Sequence, residues 1–115
     1  MTSYFNIKDN APHIAWSVLF EYADVLLPQS YWRTAGGKVD GGVPTKNYNK
    51  GLKQWAQMGG ASAKIFPMAG EIAHATAAEI AAYGGAAKAS GKDELHFYTA
   101  ETTVPESVWD AIRHL

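Results

Sequence analysis

Proline and paired glycine divide this chain into short segments, each long enough for one helix or one strand. Pro28, Pro44, Pro67 and Pro105, with Gly36-Gly37, Gly41-Gly42, Gly59-Gly60 and Gly84-Gly85, recur along 115 residues. Proline breaks a helix from within and biases the residue before it towards extended backbone. Glycine supplies the positive φ of turns and helix ends. The expectation is one domain, 1–115, of several short elements. At 47% apolar residues the chain can build a core.

Patterning within the segments predicts an α+β fold, with about four helices packed on a small sheet of two to four short strands. Ser3 to Ile7 reads as a strand. Asn10 then caps a helix over Ala11–Leu27, with Pro12 in its first turn and Pro28 beyond its end. His13, Ser17, Glu21 and Asp24 form its one polar stripe, so this helix is expected to be covered on most sides. Tyr31 to Ala35 could form a hairpin strand before Gly36-Gly37 or an exposed loop. From Thr45 to Met58, Tyr48, Leu52, Trp55 and Ala56 share one helical face, while Lys46, Lys50, Lys53 and Gln57 line the other. Ala63–Phe66 reads as a short strand. A third helix over Met68–Tyr83 carries Ala73, Ala77 and Ala81 at every fourth position, and Gly84-Gly85 closes it. Ala86–Gly91 reads as a linker or frayed turn, and Glu94–Ala100 as a strand. Thr103 and Glu106 have the spacing of a capping box for a last helix carrying Val108, Trp109, Ile112 and Leu115. Strand order is not readable from these patterns.

Charge is distributed unevenly. The net charge is −1, yet residues 31–64 carry Arg33, Lys38, Lys46, Lys50, Lys53 and Lys64 against Asp40, a local +5 between acidic flanks. Such asymmetry bears on association rather than on fold. Without cysteine there is no disulfide, thiolate nucleophile or Cys-type zinc site. The longest apolar run, Ile14–Leu27, is interrupted by Glu21 and Asp24 and is too short to span a bilayer. The N-terminus lacks a signal-peptide pattern. A cytoplasmic or virion location without membrane attachment is therefore expected.

Reaction signatures are missing as well. Gly36-Gly37-Lys38 does not complete a phosphate loop, and no G-x-G-x-x-G fingerprint occurs. Glu71-x-x-His74 is one half of a di-iron pattern that needs two such motifs, so no metal site or other cofactor is expected. His13, His74, His96 and His114 stand beside no recognisable nucleophile. These features favour a non-enzymatic subunit acting through protein–protein contacts in a homo-oligomer or larger assembly; a small virion component is one role that fits. A small inhibitor or adaptor is one alternative. A nucleic-acid-binding accessory module using residues 31–64 is another, although Tyr48 and Trp55 are expected to point away from the lysines. The candidate partner-binding residues are Trp32, Arg33, Lys38, Lys46, Lys50 and Lys53, the last three of which could meet the acids of residues 94–110 on a neighbouring copy. Ala73, Ala77 and Ala81 are candidate oligomer contacts.

Overall fold

The computed structural model describes residues 1–33, 37 and 42–115. β1 (Thr2–Tyr4) lies parallel to β2 (Leu27–Gln29), and β3 (Ala69–Gly70) lies parallel to β4 (Phe97–Tyr98). Parallel bridges from Leu26 to Ile65 and from Gln29 to Met68 connect β2 to the segment leading into β3. The strand segments therefore follow one another in chain order.

Parallel neighbours require crossover connections, and helices provide them. α1 (Ile7–Asn10) and α2 (Trp16–Tyr22) join β1 to β2; α3 (Pro44–Gln57) leads from β2 towards β3; α4 (Ala77–Ala89) joins β3 to β4. α5 (Glu106–Arg113) follows β4. The chain belongs to the α+β class, as the sequence pattern predicts.

Among the described residues, two apolar clusters make the core. One gathers Trp32, Tyr48, Ile72, Ile80, Tyr83 and Val108, and the other Ile7, Trp16, Phe20, Leu26, Trp55 and Ile65. Leu52 packs against both. Tyr48 and Trp55, placed inward by helical periodicity, are 1% and 0% exposed. Trp55 stacks on Phe20 at 5.0 Å between centroids, and its indole N–H donates to the Tyr4 carbonyl at 2.9 Å. Large ring area is thus removed from water without orphaning a polar group.

The helix expected over Ala11–Leu27 is divided. Asn10 ends α1 instead of capping a helix, and α2 stops at Tyr22. At the front, the Trp16 indole donates to the Ala11 carbonyl at 2.8 Å. At the back, Leu26 donates to Lys64 and accepts from Phe66, both at 2.8 Å, so this backbone is committed to a ladder. Pro28 sits inside β2 and contributes only its carbonyl, which accepts from Met68 at 2.7 Å.

The third helix begins nine residues later than periodicity suggests. Thr76 caps α4 in a capping box: Glu79 N–H donates to Thr76 Oγ1, and Thr76 N–H donates to Glu79 Oε1. Gly84-Gly85 does not stop this helix, which continues to Ala89 through the expected linker. Gly84 is used for close approach, since a Cβ there would meet Leu115 Cδ2 at 2.3 Å. The Thr103 capping box is not formed: α5 starts two residues later, with Pro105 before Glu106 and no side-chain cap. Tyr31–Arg33 forms no strand, and Thr34 and Ala35 lie outside the described residues. Ser62–Lys64 is a 3₁₀ turn, leaving Ile65 as the bridge residue.

Gly51 offers a direct test of how tightly α3 seats on the strands. A Cβ there would lie 2.4 Å from Ser30 Oγ, 3.1 Å from Pro28 Cβ and 3.3 Å from Phe5 Cβ. Overpacking of about 1–3 kcal/mol should exceed the ~1 kcal/mol gained in helix propensity. Gly51→Ala should therefore lower the denaturant midpoint; an increase would show that the strands yield to α3.

Candidate functional site

α3 presents opposite chemistries on its two sides. Spacing that buries Tyr48 and Trp55 turns Lys46 and Lys53 to solvent and leaves Lys50 half-exposed. α1 folds back beside this lysine face. The result is an open groove of about 510 Å³ lined by Lys8 and Asp9 from α1 and Lys46, Asn49, Lys50, Lys53, Gln54 and Gln57 from α3.

Gln54 forms the joint between the two helices. Only 7% exposed, its Oε1 accepts from the Lys8 backbone N–H at 2.9 Å, and its Nε2 donates to Asp9 Oδ2 at 3.0 Å. The same carboxylate oxygen is 3.0 Å from Lys50 Nζ. Hydrogen bonds from Gln54 and then Lys50 hold the Asp9 carboxyl below its ordinary range. Lys8 Nζ donates to the neutral Gln57 amide at 3.2 Å. Among the described residues, Lys46 and Lys53 have no ion pair. Four lysines against one aspartate leave this groove at +3.

Of the candidate partner-binding residues, the structure brings Lys46, Lys50 and Lys53 together. It places Trp32 and Arg33 elsewhere, and Lys38 lies outside the described residues. Trp32 is fully buried against Tyr83, so it is a core residue and not an exposed contact. Arg33 is largely enclosed and makes a two-pronged pair with Glu79, from Nε at 3.2 Å and Nη2 at 2.9 Å. Its Nη1 also donates to the Gly37 carbonyl at 2.9 Å. Burial alone would raise the Glu79 carboxyl. Hydrogen bonds from Arg33 and the Thr76 backbone, with the Arg33 charge, outweigh it and bring the group below its ordinary value.

The alanine row is also redistributed. Ala73 is half-buried in a 3₁₀ turn (Ile72–His74), whereas Ala77 and Ala81 are exposed on α4. These alanines do not form one helical stripe, because α4 starts only after Thr76. Lys8, Asp9 and Gln54 escaped sequence reading altogether. Lys8 and Asp9 fall where the pattern suggests the end of a strand and a cap, and nothing local indicates that they meet residues some 46 positions later.

A second surface lies on α2. Trp16 and Phe20 enter the core, while Val18, Leu19 and Tyr22 remain 52%, 46% and 84% exposed, with Ile14 just before the helix at 39%. Its first turn rests on Gly59, where a Cβ would sit 2.7 Å from Ser17 Cβ. Gly59 is two residues beyond Gln57, so α2 begins close to one end of the lysine groove.

Residues with possible catalytic chemistry are dispersed. His13, Ser17 and Glu21 are exposed, and His96 pairs with Glu94 at 2.9 Å near the surface. Tyr31 lies across Gly70 and stacks on Tyr98 at 6.2 Å. Burial, then Tyr98 and Glu71, push its hydroxyl up to about 12, so it stays protonated at neutral pH. Among the described residues, no group of three or more His, Cys, Asp or Glu side chains could hold a metal ion, and no helix is long and apolar enough to cross a membrane. Comparison of the chain with protein-family models, curated proteins and solved structures found no match.

The Arg33–Glu79 pair has a defined pH signature. Because the folded Glu79 pKa lies below its unfolded value, its contribution is present above about pH 4.5 and is lost as pH falls through the folded value. Glu79→Gln should cost about 1–2 kcal/mol at pH 7, and the gap from the native chain should narrow by pH 3. Urea unfolding across this range measures it; a constant gap would remove Glu79 ionisation as its source.

Proposed function

We propose that this protein is a non-enzymatic interaction subunit that works through protein–protein contacts in a homo-oligomer or larger assembly. The observation that carries this reading is the outer side of α2. Within α2, Val18 and Tyr22 are one turn apart and Leu19 and Tyr22 are three residues apart, with exposed Ile14 just before the helix. Side chains at these spacings are neighbours on a helix. Single exposed apolar residues are ordinary, but an adjoining group is a feature of interaction sites. Fully burying each such side chain contributes roughly 1.5–3 kcal/mol, enough for a few of them to anchor an interface.

The dispersal of the histidines supports the non-enzymatic part of this proposal. A nucleic-acid module draws less support: of the large rings of the basic segment, Trp32, Tyr48 and Trp55 are 0%, 1% and 0% exposed and cannot stack on bases, and Tyr31 is half-buried against Tyr98. A virion component remains one role compatible with an assembly subunit.

Self-association through α2 should appear in light scattering during size exclusion. The chain should exceed its 12.4 kDa monomer mass at micromolar concentration, and Leu19→Glu/Tyr22→Ser should return it to monomer. These exposed changes should leave the thermal midpoint within a few degrees of the native value. A strict monomer at millimolar concentration would overturn the homo-oligomer, as would an assembly that the double variant leaves intact.

A further inference from the structure

We infer that the α1/α3 groove binds an extended acidic polypeptide segment. The inference gives the interaction reading a partner chemistry and rests on it in taking the occupant to be protein. It does not depend on self-association through α2.

The groove already holds a carboxylate. Asp9, exposed on its lining, is bound by one ammonium group and one buried amide, Lys50 Nζ and Gln54 Nε2, each at 3.0 Å. Lys46 and Lys53 flank Lys50 on the same helix without ion pairs among the described residues. Lys8 meets only a neutral amide. The groove therefore retains +3 after Asp9 is counted, on a chain whose total charge is −1. Attraction for an anionic partner is focused here rather than spread over the molecule.

Spacing and side-chain type narrow the occupant. Lys46 and Lys50 are about 6 Å apart along the helix axis, and Lys46 and Lys53 about 10.5 Å. An extended chain advances about 3.3 Å per residue. With Lys50 engaged by Asp9, such a segment reaches the two unpaired lysines, Lys46 and Lys53, with carboxylates about three residues apart. The groove lining contains no arginine fork and no aromatic platform, the features that favour bidentate phosphate recognition and base stacking. Its Asn49 and Gln57 amides can exchange hydrogen bonds with peptide backbone.

Its own acids offer the chain little of this partner. Among the described residues Glu101 stands without an ion pair, while Glu106 and Asp110 both pair with Arg113 and Glu94 with His96. Three of the four acids of residues 94–110 are thus engaged by local partners. A separate acidic protein segment fits better than the C-terminal region of a second copy.

Anisotropy of a fluorescein-labelled ten-residue Glu-Ser repeat peptide tests the proposal on the full chain. Binding is expected at 20 mM salt, with at least tenfold weakening at 200 mM. Lys46→Gln/Lys53→Gln should weaken it about tenfold, whereas the charge-matched Lys88→Gln/Arg113→Gln control should stay within twofold. Both variants must retain the native circular dichroism and melting profile; if Lys46→Gln/Lys53→Gln unfolds, Lys53→Gln alone should still weaken binding about threefold. Absence of binding at low salt, or equal loss in both double variants, would overturn the proposal. A DNA oligonucleotide of equal charge binding tenfold more tightly through the same two lysines would also overturn it by assigning the groove to nucleic acid. Peptide binding is read apart from mass, so its failure leaves the α2 interface standing, and a monomer that binds peptide leaves the groove standing.

Discussion

α3 is the element on which the other parts of the structure depend. Tyr48 faces one apolar cluster, Trp55 the other, and Leu52 touches both. With two small cores instead of one large one, each cluster needs this shared wall to exclude water. Gly51 lets the same helix approach Pro28 and Phe5 closely, bringing the strands beneath it. Removing apolar area from water drives this packing, while a few directional bonds, such as Trp55 to the Tyr4 carbonyl, determine orientation.

The lysine groove follows from that placement. Once Tyr48 and Trp55 point inward, the 3.6-residue repeat turns Lys46, Lys50 and Lys53 to the opposite side. Gln54 then anchors α1 through both ends of its amide, adding Lys8 and Asp9 to the lysine face. Core packing and charge display are two consequences of one helix. The exposed side of α2 arises similarly, because Trp16 and Phe20 occupy the space against Trp55 and leave Val18, Leu19 and Tyr22 outside. An interaction role is thus proposed for surfaces that lie behind the best-packed parts of the molecule.

Element type was more legible than element boundary. Strong amphipathic spacing identified α3 almost to the residue, and the apolar spacing of Val108, Trp109 and Ile112 found α5. The first helix is shorter than its apolar pattern suggests and the third starts later, because alternatives to helical bonding come from far away. Leu26 bonds to Lys64 and Phe66, and Arg33 meets the Glu79 that caps α4. Gly84-Gly85 was read as a stop, yet close packing against Leu115 makes small residues useful inside that helix. Arg33 and Trp32 were conspicuous in sequence, but conspicuousness does not separate a surface contact from a buried pair.

By itself the sequence determined the α+β class, the inward positions of Tyr48 and Trp55, and the shared face of Lys46, Lys50 and Lys53. These depend on local periodicity and on the intrinsic behaviour of proline, glycine and charged side chains. Only the tertiary structure decided that strand segments run parallel in chain order, that Trp32 enters the core, and that Lys8 and Asp9 complete a groove with residues on α3. Each of these rests on contacts between distant positions. Their strength comes from burial and hydrogen-bond pairing that exist only after the chain has folded back on itself.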